Sequence, residues 1–178
     1  MCFAQAKYER EFRVRKNQFP VAAKDILTEN LKDAKRLKFY KKTDTSKTTY
    51  EAKFKKDKLR YSIEFSSEGS LEHIEIIIQP LDIPSEALAN ITIYLEQNFI
   101  SYKVKKIKQQ YLATKDSELK ETFRNAFQNL LLPNLNYEII ISYKENKAYL
   151  EYEVLFNAEG NFKNKKKRLP PNYDRVLY

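Results

Sequence analysis

Tryptophan is absent from this chain of 178 residues, glycine occurs twice, and histidine, cysteine and methionine occur once each. Each shortage excludes something. Two isolated glycines cannot form a loop that cradles phosphate with successive backbone amides. The single cysteine, Cys2, rules out an internal disulfide framework and leaves the redox compartment open. One histidine, His73, and one cysteine fall short of the ligands a zinc site needs, and no acidic run has the spacing of a calcium loop. Nor do these two residues make a nucleophile with its base, because Cys2 lies in a terminal segment and His73 in an expected strand beside a turn. No apolar run approaches the ~18 residues of a membrane-crossing helix. The expectation is a non-enzymatic protein with no cofactor, no metal and no membrane span.

What is present is ordered material. Hydrophobic residues make up 42% of the chain, with 13 tyrosines and 11 phenylalanines, enough for one domain or two fused half-domains. The net charge of +9 suggests an anionic partner, but its distribution weakens that. Residues 61–100 contain seven acidic side chains and no lysine or arginine, whereas both flanks are strongly basic. Such blocks read first as register signals inside the fold, with Lys53, Lys55 and Arg60 near Glu64, Glu72 and Glu75 across a ladder. A nucleic-acid or anionic-polymer binder is the alternative, and the acidic block disfavours nucleic acid.

The two glycines mark an internal repeat. Glu68-Gly69 and Glu159-Gly160 each follow an alternating run, Leu59, Tyr61, Ile63 and Phe65 in one case and Leu150, Tyr152, Val154 and Phe156 in the other, always 91 residues apart. A lone glycine between alternating runs reads as a hairpin turn, because glycine takes positive φ without a Cβ clash. Leu71 is out of phase with Ile74, Ile76 and Ile78, which calls for a bulge near Glu72-His73. Phe19-Pro20 and Ile83-Pro84 open helices with apolar stripes, and a third helix starts at Asp116-Ser117-Glu118 and stops before Pro133. The expected fold class is α+β, a tandem repeat βαβββ-βαβ(α)βββ with the helices on one face of antiparallel sheet. The expected divisions are a tail over 1–6, a first unit over 7–82, a second over 83–169 with an inserted helix at 116–131, and a tail over 170–178.

The proline-opened helix, the Tyr50-Glu51 strand and the Glu-Gly turn, all repeated, make residues 7–168 resemble the secreted bacterial PepSY-like proteins with a β-lactamase-inhibitor-like fold. The resemblance implies a periplasmic or secreted module that binds a protein, a protease or other hydrolase among the candidates. Residues 1–6 look like the end of a signal peptide, small residues near a cleavage site without the charged beginning. A frayed cytoplasmic N-terminus is the alternative. Tyr50, Tyr61, Tyr137 and Tyr152 are assigned to the core. Candidate partner-binding residues are Tyr102, Tyr111, Tyr143 and Tyr149, with Lys163, Lys165, Lys166, Lys167 and Arg168 of the last strand. The simpler reading of that lysine run is an edge strand guarded against aggregation.

Overall fold

The computed structural model describes residues 10–43, 47–113, 118–145 and 148–168. The readings at residues 1–6, at Tyr8 and Glu9, at Asp116-Ser117 and at 170–178 lie outside them. The chain runs β1 (Arg10–Val14), α1 (Val21–Asn30), β2 (Lys35–Thr43), β3 (Thr48–Lys56), β4 (Leu59–Ser66), β5 (Leu71–Ile78), α2 (Ser85–Asn98), β6 (Lys103–Leu112), α3 (Leu119–Phe127), β7 (Asn136–Glu145), β8 (Ala148–Asn157) and β9 (Phe162–Arg168). The nine strands form one sheet in sequence order, each antiparallel to the next.

The tandem repeat of two helix-plus-strand units is therefore corrected. β4 pairs with β5 and β5 with β6, from His73 opposite Leu112 to Ile78 opposite Ile107, so the ladder continues through the expected boundary at residues 82 and 83. An unpaired strand edge at that boundary would expose a row of amides and carbonyls, and joining the edges satisfies them.

The 91-residue offset describes two alike hairpins within this single sheet. Gly69 has φ +95° and Gly160 φ +83°. In each turn the glycine amide donates three residues back, Gly69 to the Ser66 carbonyl at 3.1 Å and Gly160 to the Asn157 carbonyl at 3.0 Å. Each glycine is also pressed against a helix. A Cβ on Gly69 would lie 2.9 Å from the Ala23 amide nitrogen, and one on Gly160 2.2 Å from the Ala87 carbonyl oxygen. The expected bulge is present: Glu64 faces His73 and Phe65 faces Leu71, leaving Glu72 unopposed. A matching bulge at Lys163 follows the second turn.

All three helices lie on one side. Ala23 and Leu27 of α1, Ala87, Ile91 and Leu95 of α2, and Phe123 and Ala126 of α3 are buried on it with the sheet residues Phe65, Ile74, Ile76, Tyr137, Ile139, Val154 and Phe156. Burying each large side chain contributes about 1.5–3 kcal/mol. Phe19, just before α1, fixes that helix by contacts with Phe39 at 4.9 Å and Phe65 at 5.8 Å between ring centroids. The other side of the sheet carries no helix among the described residues.

Candidate functional site

Every second residue of the central strands points to that bare side, and those residues are nearly all polar. Lys42 stands on β2, Glu51 and Lys53 on β3, Ser62 and Glu64 on β4, His73 and Glu75 on β5, Lys108 and Gln110 on β6, Glu138 on β7, and Glu153 on β8. They form a chain of alternating charge across the strands. Lys53 Nζ lies 2.6 Å from Glu11 Oε1 and 3.1 Å from Glu51 Oε2. Lys42 Nζ links Glu51 at 3.2 Å to Glu64 at 3.0 Å. His73 Nε2 sits between Glu64, at 3.7 Å, and Glu75, at 3.5 Å. Lys108 Nζ joins Glu75 at 3.0 Å to Glu138 at 2.8 Å. The acidic block is indeed answered inside the fold, but its expected partners are corrected. Lys42, Lys47 and Lys108 neutralise it, while Lys53 turns to Glu11 and Glu51. Lys55 and Arg60 face each other.

Burial makes this network stiff. Glu75 is 4% exposed and accepts hydrogen bonds from Ser62 Oγ and Gln110 Nε2, each at 3.0 Å. Its burial would raise the carboxyl pKa, but the Lys108 charge and the His73 hydrogen bond outweigh that and hold it well below the usual range. Glu64 is lowered in the same way, its burial overcome by Lys42 and His73. For His73 burial favours the neutral ring, yet the bond to Glu75 and the charges of Glu75 and Glu64 raise its pKa. Lys42 and Lys108 are likewise raised, against the effect of burial, by the glutamates around them.

The sheet curls enough that Glu11 on β1 and Arg168 on β9 line one cavity of about 400 Å³ beside the network. Nine of its lining side chains are lysine or arginine and three are glutamate. The three glutamates are engaged: Glu11 with Lys53, Glu51 with Lys42 and Lys53, and Glu153 with Arg168 at 3.1 Å. Arg36, Lys38, Lys55, Arg60 and Lys106 form no ion pair with a described residue. Arg36 stands at the bulge of β2 with φ 59°, a left-handed conformation that costs a non-glycine residue about 1 kcal/mol. The Lys106 amine is pushed down by burial and by the neighbouring cations Lys108, Arg168 and Lys53.

The residues singled out from sequence do not assemble into one surface. Tyr111 is 3% exposed on the helix side, where its hydroxyl donates to the Leu130 carbonyl at 2.9 Å. Tyr143 is half-buried there, 5.5 Å from the Phe99 ring, and Tyr102 is half-buried against the core. Tyr149 is 74% exposed, opposite Lys144 on the bare side. The basic strand β9 is an edge strand, and its cations divide between the two faces. Lys166 and Arg168 oppose Glu153 and Glu151 on the bare side, where Lys163 also donates to Asn136 Oδ1 at 3.0 Å. Lys165 and Lys167 oppose Val154 and Tyr152 on the helix side, with the Lys165 ammonium 5.4 Å from the Phe99 ring. The charged network and the cavity went unread in the sequence. Their signal was a polar residue at most off-phase positions of successive strands, broken by Ile77 on β5 and Ile140 on β7.

The chain matches no family model and no curated protein. Solved structures share its architecture. A DUF2874 family protein from Bacteroides ovatus superposes with a TM-score of 0.56 at 9% identity, covering 89% of this chain and 93% of the other. A candidate periplasmic protein from Bacteroides eggerthii gives 0.54 at 12% identity over 86% and 92%. A BLIP-like protein from Bacteroides fragilis gives 0.50 at 13% over 90% and 93%. At these identities the likeness is one of fold, and this chain has the fold of the DUF2874 family and BLIP-like proteins.

Proposed function

We propose that this chain is a non-enzymatic, PepSY-like binding module of the bacterial periplasm or exterior that recognises a protein partner, a hydrolase among the candidates, with its bare sheet face. The observation that carries this reading is the placement of all three helices on one side of a curled sheet. The opposite face is left concave, with its charges ordered before any partner arrives. Preorganisation of this kind lowers the cost of ordering side chains on association. Tyr149, exposed at the end of β8 beside Lys144, supplies an aromatic anchor at the rim. The fold shared with candidate periplasmic and BLIP-like proteins supports the same reading.

Capture from a bacterial envelope fraction tests it, using three baits. The wild-type chain and a Lys120→Glu variant of α3 are expected to retain the same protein. A Tyr149→Ala/Lys166→Glu double variant of the bare face is expected to lose it. Retention by the double variant, or loss with the helix variant alone, would overturn the reading. Assay of the captured protein for hydrolase activity with and without the module then decides whether binding inhibits.

A further inference from the structure

We propose that the cation-lined cavity of the bare face is a binding site for a compact organic polyanion, a ligand carrying two or more carboxylate or phosphate groups on a small apolar frame. The bare face carries a contrast. Through the centre of the sheet each lysine meets a glutamate, from Glu11 through Lys53, Glu51, Lys42, Glu64 and Glu75 to Lys108 and Glu138. In part of the cavity lining that matching stops. Lys55 and Arg60 occupy directly opposed positions of β3 and β4 with no ion pair to a described residue, and Lys38, likewise without one, stands opposite Lys53, whose own charge Glu11 and Glu51 meet. Like charges directly opposite destabilise a ladder, and an anion bound between them would remove that cost.

Backbone geometry makes the second, independent observation. The bulge between Lys35 and Lys38 holds Arg36 at φ 59°, a conformation suited to glycine or asparagine, and in that pose Arg36 lines the cavity. Guanidinium groups offer paired donors that match the two oxygens of a carboxylate or phosphate, while the lysines act as point charges around them. Ile77 and Ile140 also line the cavity and provide apolar contact between the cations. A volume of about 400 Å³ matches a small-molecule ligand. Lys106 lines the same cavity with Lys108, Arg168 and Lys53, so a bound anion would relieve the repulsion among them. The site needs no macromolecular partner, so it stands or falls separately from the docking role of the face.

Isothermal titration of the whole chain with citrate, and separately with fructose 1,6-bisphosphate, tests the assignment and distinguishes carboxylate from phosphate ligands. At least one probe is expected to bind one-to-one, more weakly as salt rises. Lys106→Gln is expected to weaken it about tenfold, the loss of one charge-assisted contact. Arg36→Gly is the decisive variant. It relieves the left-handed strain, so it is expected to melt no lower than wild type while binding about tenfold more weakly. Lys167→Gln, on the helix side, is expected to bind as wild type does. Absence of one-to-one binding by both probes, equal weakening by Lys167→Gln, or undiminished binding by Arg36→Gly would overturn the proposal. So would a single-stranded oligonucleotide that displaces the small probe at equal charge concentration, because the surface would then be a polymer track.

Discussion

Glu75 is the side chain on which the bare face depends most. Ser62, His73, Lys108 and Gln110 all converge on it, and it is almost fully buried. Removing one partner of a buried ion pair leaves the other charge uncompensated, so Glu75→Ala is expected to cost about 3 kcal/mol, measured by urea denaturation. Replacing both Glu75 and Lys108 by apolar residues of similar size should cost distinctly less, since no lone buried charge remains. The pH dependence follows from the same cluster. Glu64 and Glu75 lie below the ordinary carboxyl value of 4.5, so their stabilisation is complete above that pH and disappears as pH falls through the depressed values. His73 lies above its ordinary value of 6.5, so its stabilisation is complete below 6.5 and disappears as pH climbs through the raised value. The melting temperature is therefore expected to be highest between 4.5 and 6.5. A thermal-melt series should show that His73→Gln abolishes the alkaline decline between 6.5 and the wild-type midpoint.

At the scale of elements, the two glycine hairpins carry both the clearest sequence signal and a sharp difference. Both turns need positive φ, but an added Cβ meets backbone more severely at Gly160, against Ala87 of α2, than at Gly69, against Ala23 of α1. Gly160→Ala is expected to destabilise by at least about 3 kcal/mol, from backbone strain plus overpacking, and Gly69→Ala by about 2 kcal/mol. Equal losses in chemical denaturation would show that α2 gives way freely. Element by element, legibility tracked how clean the alternation was. Tyr61 was readable as core because it sits among alternating apolar residues, and Tyr137 because Tyr137-Glu138-Ile139 answers Tyr50-Glu51-Ala52. Tyr111 was not, because buried Gln109 interrupts the apolar phase of β6, where its side chain reaches Tyr111 and Asn129. Tyr143 was hidden by the run of isoleucines in β7, which is buried on both faces and shows no alternation. Tyr102 lies before a bulge between Val104 and Lys106 that shifts the phase of β6.

At the scale of the molecule, one sheet implies one cooperative unit. A single ladder from β1 to β9 leaves no boundary at which half the chain could melt alone. Urea unfolding followed by far-ultraviolet circular dichroism and by tyrosine fluorescence should therefore give coincident transitions. A fragment ending at residue 82 should not fold, because it would expose β5 as an unpaired edge and remove the α2 residues Ala87, Ile91 and Leu95 from the core. Two separated transitions would restore a two-unit description.

Alternation, glycine turns, proline-opened helices and the bulge at Glu72 are all local, set by the sterics and hydrogen bonding of a few neighbouring residues, and each could be read along the chain. The merging of two expected units into nine continuous strands depended on contacts between residues far apart in sequence, where the cost of leaving β4, β5 and β6 unpaired outweighs any local preference. The same holds for the pairing of charges. Composition required that the acidic block be answered, but strand register and the curl of the sheet selected Lys42 for Glu64, Lys108 for Glu75, and a common cavity for Glu11 and Arg168.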